Sequence, residues 1–184
     1  DSQGIRLFKG IGYLIFQTKE NHSESDGDYQ KMFFFRNLTI TMKWSIIINP
    51  TAGSGKAKKQ WHKKIVPLLQ KKGIAYQEVF TQFAGHASDL AEELIAAGHR
   101  HLLAIGGDGT FHEVANGILR QKNTPSVDIT FAVIPLGTGN DWVRSLEIPS
   151  NIEAAIEVLQ NGTPFLQDVG LANFLTLHHH HEPR

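Results

Sequence analysis

His101-Leu102-Leu103-Ala104-Ile105-Gly106-Gly107-Asp108-Gly109-Thr110 joins an apolar, strand-like run to a glycine turn that carries one carboxylate. The residues after it, Phe111, Val114, Ala115, Ile118 and Leu119, fall at helical spacing. Strand, glycine turn and helix N-terminus together make a phosphate cradle. Glycines let backbone N–H groups approach an anion with no Cβ in the way, and the helix dipole favours negative charge there. Asp108 supplies a carboxylate suited to holding Mg²⁺ against phosphate oxygens or to taking a proton from an attacking hydroxyl. Thr110 and Glu113 have the spacing of a capping box, so Glu113 reads either as a helix cap or as a direct participant in catalysis.

Outward from this stretch, strands and helices alternate, the pattern of an α/β fold with a parallel sheet and helices on both faces. Trp44 to Ile48 reads as the first strand, Ala75 to Phe80 as the second, His101 to Ile105 as the third and Ile129 to Ile134 as the fourth. Trp61, Ile65, Leu68 and Leu69 line one helical face, which Pro67 should kink or divide. Ala87, Leu90, Ala91, Leu94 and Ile95 repeat the helical spacing, with Gly98 placed to end that helix. Ser150 to Glu153 reads as a second capping box, opening a helix with Ile152, Ala155, Ile156 and Leu159 inward.

Three glycine-bearing turns therefore follow strands: Thr51 to Gly55, Gly106 to Thr110 and Gly137 to Gly139. In a parallel sheet they share the carboxyl edge, where open α/β folds bind ligands. With Asn49, Asp108, Asn140 and Asp141 among them, they point to a nucleotide site. The standard fingerprints do not fit. A Walker loop ending at Gly55-Lys56 needs glycine at Pro50 and Ser or Thr at Ala57. A dinucleotide fingerprint needs glycine at His112 or at Trp142.

Eighteen Lys plus Arg balance eighteen Asp plus Glu across 184 residues, which argues against a dedicated nucleic-acid binder. The basic charge is uneven: seven lysines and no acid lie between Gly53 and Gly73. This run reads as a solvated helix face, or else as a surface that meets anionic phosphate or lipid. Without cysteine there is no disulfide or thiolate chemistry. The apolar runs fall short of the roughly 18 residues a transmembrane segment needs, so the expectation is a soluble, cytoplasmic protein. Residues 1–41 show no clean periodicity and read as an irregular N-terminal extension, residues 42–173 as the regular domain, and residues 174–184 as a tag-like tail with His178 to His181.

Three blocks carry a resemblance. Asn49-Pro50-Thr51-Ala52-Gly53-Ser54-Gly55, Gly106-Gly107-Asp108-Gly109-Thr110 with Glu113, Asn116 and Gly117, and Pro135-Leu136-Gly137-Thr138-Gly139-Asn140-Asp141 resemble, in order and spacing, the diacylglycerol kinase catalytic domain, above all that of bacterial soluble lipid kinases. The resemblance spans roughly Met42 to Asn173. It implies a three-layer, doubly wound, mostly parallel sheet like that of 6-phosphofructokinases and NAD kinases. It also implies ATP and Mg²⁺ as cofactors and a diacylglycerol-like lipid acceptor at a membrane surface, with homo-oligomers open. In that reading Asn49, Pro50, Thr51, Ala52, Gly53 and Thr81 contact nucleotide. Gly106, Gly107, Asp108, Gly109, Thr110, Phe111 and His112, with Glu113, cradle the phosphates, while Gly137, Thr138 and Asn140 close the site. Asp108 is the expected catalytic residue and metal partner, and Lys56 is the nearest cation in sequence. Members of this family continue into a β-rich second domain, so the chain is expected to correspond to their nucleotide-binding half. An NAD kinase-like enzyme and a non-catalytic nucleotide-binding module are the alternative readings.

Overall fold

The structure, a computed structural model, describes residues 4–8, 42–137, 139–170 and 172. Thr138, the stretches 10–16, 21–28 and 33–35, Asn173 and the tail with His178 to His181 lie outside the described residues.

Six strands form one sheet: β1 (Gly4–Phe8), β2 (Trp44–Ile48), β3 (Tyr76–Phe80), β4 (His101–Gly106), β5 (Thr130–Pro135) and β6 (Pro164–Asp168), in the order β3-β2-β4-β5-β1-β6. β3, β2, β4 and β5 run parallel in continuous register, Ile48 beside Ile105 and Ile105 beside Ile134. β1 pairs parallel with β5 at Arg6 and Thr130, and antiparallel with β6 along its whole length. The sequence around Gly4–Phe8 carries no clean alternation, yet the segment supplies a strand.

β2 and β5 are buried at every position, as expected of parallel strands covered on both faces. The side chains of β2, β4 and β5 alternate between two apolar layers. Ile47, Ala104, Phe131 and Val133 face α4 (His86–Ala96), α5 (Asp108–Arg120) and α6 (Asp141–Ser145). Ile46, Ile48, Leu103, Ile105 and Ile134 face the opposite layer. That second layer is built from a π-helical turn over Trp61–Ile65, which the short helix α2 (Ala57–Gln60) leads into, with α3 (Val66–Lys71) and α7 (Ile152–Asn161). The architecture is therefore the three-layer, mostly parallel α/β sandwich that the sequence implies.

The division expected at Pro67 is present, and one cap is corrected. Pro67 lacks an N–H for the carbonyl one turn back, and the chain answers with the π-helical turn directly before α3, which keeps Pro67 in its first turn. The cap of α7 is Asn151 rather than Ser150, its side chain accepting the Ala154 N–H at 3.1 Å. The C-terminal glycine of α4 behaves as read: Gly98, at φ +95°, turns the chain so that the His99 N–H reaches the Leu94 carbonyl.

Chain direction matters for the site. From β2 the chain moves outward to β3, then crosses back past β2 to β4 and β5, so the winding reverses between β2 and β4. Ligands of open α/β sheets bind at the carboxyl ends of the two strands that flank such a reversal.

Candidate functional site

Asn49 leaves β2 at that reversal and is bonded on all sides. Its N–H donates to the Ile105 carbonyl at 3.0 Å, and its side-chain amide donates to Thr110 Oγ1 at 3.0 Å. Its Oδ1 accepts both the Thr51 N–H at 3.0 Å and the Thr51 hydroxyl at 2.8 Å. The Asn-Pro-Thr turn is thus an Asx-type loop pinned to the glycine turn 61 residues away. The short turn α1 (Ala52–Gly55) follows, its Ala52 N–H on the Asn49 carbonyl, with Gly53 and Ser54 in left-handed conformation. A Cβ on Gly53 would lie 2.5 Å from the Leu136 carbonyl oxygen, so only glycine fits between the first and third blocks.

The glycine turn itself is packed from below. A Cβ on Gly106 would meet Thr110 Oγ1 at 2.5 Å, and one on Gly137 would meet the Gly107 Cα at 2.9 Å. The Gly106 carbonyl accepts N–H groups of Leu136 at 2.7 Å and Gly137 at 3.2 Å. α5 starts at Asp108 with Gly107 as N-cap, and among the described residues no side chain caps it. Its first N–H groups therefore face the loop free of a side-chain acceptor. This corrects the capping-box reading of Thr110 and Glu113, because the helix begins two residues before Thr110. Thr110 is buried and engaged by Asn49. Glu113 instead reaches across to α4, accepting the N–H of Gly85 at 2.9 Å and of Ala87 at 3.3 Å.

Asp108 is half-buried at the start of α5. Its Oδ2 accepts the Asp141 N–H at 3.2 Å, and its Oδ1 is buried and has no hydrogen-bond partner among the described residues. Asn140, at φ +56°, donates to the Gly137 carbonyl at 2.7 Å, and its own Oδ1 is likewise buried and without a partner among the described residues. Two orphaned oxygens at one loop junction mark a place where a donor or cation is wanted.

Beside this junction a cleft of about 310 Å³ is lined by Asn49, Pro50, Thr51, Thr81, Gln82, Phe83, Ala84, Gly109, Thr110 and Glu113. Seven of the residues singled out in the sequence meet there, and Gly106, Gly107, Gly137 and Asn140 form the floor and flank of the adjoining turn. Others do not converge. Phe111 is fully buried in the apolar layer, its ring 6.3 Å from that of Trp142, so its side chain points away from the loop. His112 is exposed along α5, where the Asn116 amide donates to its carbonyl at 2.9 Å. Thr138 lies outside the described residues. The sequence reading missed Gln82, Phe83 and Ala84. The signal was present, since Thr81 to Gly85 is a fourth glycine-bearing turn after a strand. A second hollow, of about 380 Å³, lies at the other end of α5 near Leu119, Lys122 and Thr124, and contains none of these turns.

Comparison with known proteins gives this arrangement its family. The Diacylglycerol kinase catalytic domain matches residues 43–172. A diacylglycerol kinase of Staphylococcus epidermidis is 39% identical over 132 residues, covering 70% of this chain and 39% of its own length. One from Staphylococcus aureus is 37% identical over 128 residues, with the same coverage. The crystal structure of a diacylglycerol kinase from Bacillus anthracis superposes with a TM-score of 0.55 at 33% identity, covering 66% of this chain and 40% of that one. The chain thus spans about two fifths of the length of the relatives it matches. By the match over residues 43–172 and the loops that carry it, the chain belongs to the diacylglycerol kinase catalytic domain family.

Proposed function

We propose that the chain provides the nucleotide side of an ATP-dependent lipid kinase, which transfers the γ-phosphate of ATP to the hydroxyl of a diacylglycerol-like lipid at a membrane surface. The observation that carries this reading is the uncapped N-terminus of α5, set behind Gly106-Gly107-Asp108 and pinned to both Asn49 and Leu136. In this reading the free N–H groups of that first turn hold phosphate oxygens. Asn49, Pro50, Thr51, Ala52, Gly53 and Thr81 form the wall along which the nucleotide lies, while Gly137 and Asn140 close the phosphate end. Glu113 is a positioning residue that fixes the far wall through α4.

The acceptor hydroxyl oxygen bonds to the γ-phosphorus as the bond from that phosphorus to the β–γ bridging oxygen breaks. ADP leaves with the bridging electrons, and the hydroxyl proton passes to the Asp108 carboxylate. Alignment and charge compensation do most of the work in such a transfer. The other role open to Asp108, in place of the base, is to hold Mg²⁺, an ion that would bind through one or two carboxylates together with phosphate oxygens and water. Its orphaned Oδ1 is the fitting donor. Among the described residues no three His, Asp or Glu side chains cluster as a self-contained metal cage, in keeping with an ion that arrives with the nucleotide. When bound, Mg²⁺ neutralises charge on the transferring phosphates. Among the described residues no helix is long and apolar enough to cross a membrane, which fits a lipid acceptor reached from the membrane surface.

The test is a chimera in which residues 43–172 replace the matching segment of the Staphylococcus epidermidis relative. Phosphorylation of diacylglycerol in mixed micelles should survive the exchange and be lost with Asp108→Asn, at unchanged circular dichroism. Full turnover by the Asp108→Asn chimera, or a folded but inactive parent chimera, would overturn the assignment.

A further inference from the structure

Among the described residues only two large apolar side chains stand exposed, Met42 and Phe83, and Phe83 is the more exposed at 61%. Exposure of one ring alone is ordinary on a protein surface; what singles out Phe83 is where it sits and how it is held. Phe83 lines the cleft together with Pro50 and Thr51 of the first block and with Gly109 of the glycine turn. The ring is also held in place. One face stacks on the His86 imidazole, with centroids 4.5 Å apart and planes inclined at 15°. That imidazole is fixed in turn, its Nδ1 accepting the Gln82 N–H at 3.0 Å. Two residues further along, Glu113 clamps the loop at the N–H groups of Gly85 and Ala87. The arrangement is a preorganised aromatic surface with one face covered by protein and the other turned outward.

We propose that the outward face of Phe83 is the stacking platform for the purine base of the nucleotide. The inference rests on the reading of the cleft as a nucleotide site and specifies how the base is held there. Gly109 and Thr110, which would face the phosphates, and Phe83 line the same cleft, so the ring is the surface there on which the base would stack. Every nucleobase offers a π-face, and truncating an aromatic platform to alanine typically weakens binding about tenfold or more. The larger purine ring gains more from the contact than a pyrimidine does. Gln82, exposed in the same lining, has the amide donor and acceptor needed to meet a base edge.

The test uses calorimetric titration of the 184-residue chain with ATP, CTP and inorganic tripolyphosphate, in the parent, Phe83→Ala and Phe83→Tyr forms. Phe83→Ala should weaken ATP about tenfold, leave tripolyphosphate within twofold and shrink the preference for ATP over CTP. Phe83→Tyr should retain ATP affinity, because the π-face remains. Unchanged ATP affinity in Phe83→Ala overturns the proposal, as does an equal loss of ATP and tripolyphosphate, which would mean that the loop had lost its shape. Parent protein that binds neither ATP nor tripolyphosphate removes the nucleotide reading itself, and the platform with it.

Discussion

The Glu113 carboxylate accepts the backbone N–H of Gly85 at 2.9 Å, so the helix that follows the glycine turn caps its neighbour. α4 needs this service. Its N-cap residue is Gly85, at φ +87°, with no side chain to offer. A contact between residues 28 apart thereby joins the phosphate-cradle helix to the Thr81–Gly85 loop that lines the cleft.

Replacing Glu113 tests that joint. Glu113→Ala leaves two helix N-terminal donors without their acceptor and should cost about 1–2 kcal/mol, the usual loss for a removed cap. Glu113→Gln keeps one oxygen acceptor and should recover at least half of that in urea denaturation. Equal losses for the two variants would show that the carboxylate charge, and not its acceptor geometry, is what α4 uses.

α4 and α5 pack tightly at Gly117, where an added Cβ would lie 2.3 Å from the Ser88 carbonyl oxygen and 2.8 Å from the Ala91 Cβ. Helix propensity alone favours Gly117→Ala by about 1 kcal/mol. Overpacking costs about 1–3 kcal/mol and here falls partly on backbone that has no rotamer to change. We therefore expect a net loss of stability by thermal denaturation, and a gain would mean that the two helices slide apart freely.

On the opposite layer Lys72 donates to Glu157, and this hydrogen bond, with the lysine's charge, holds the Glu157 carboxyl below its ordinary range. A depressed folded-state value means that the pair contributes stability above the ordinary carboxylate value of 4.5 and loses it as pH falls through the lower folded value. Glu157→Gln should thus sit slightly below the parent at neutral pH and converge with it in acid. The gap should shrink in high salt, because the pair is exposed. A gap that widens on acidification would contradict this assignment.

The four central strands were legible within a residue because parallel strands buried on both faces read as short apolar runs, as in Trp44–Ile48 and Thr130–Pro135. The glycine turns were legible because positions such as Gly53, with a left-handed φ and a carbonyl 2.5 Å from any added Cβ, admit no other residue. The misread features are those settled by distant partners. Local spacing gives Thr110 and Glu113 to one another, but Asn49 takes the first and α4 the second. Phe111 follows the loop in sequence and turns into the core because the helix has already begun. Phe83 has no periodic signature, since its position follows from where the β3–α4 loop lands beside Asn49. β1 escaped because pairing with β5 and β6, rather than its own alternation, makes it a strand.

If the glycine turn receives a nucleotide's phosphates, a side chain added at Gly109 should block them. Gly109 lines the cleft at the start of α5, and a Cβ there meets nothing within 4 Å. Gly109→Leu should therefore fold, with a stability equal to or about 0.5–1 kcal/mol above the parent. Its side chain would occupy the space the phosphates need. Calorimetric titration with Mg-ATP should show binding to the parent chain and at least a tenfold loss in Gly109→Leu at an undiminished melting temperature. Undiminished Mg-ATP binding by the folded variant would contradict the account.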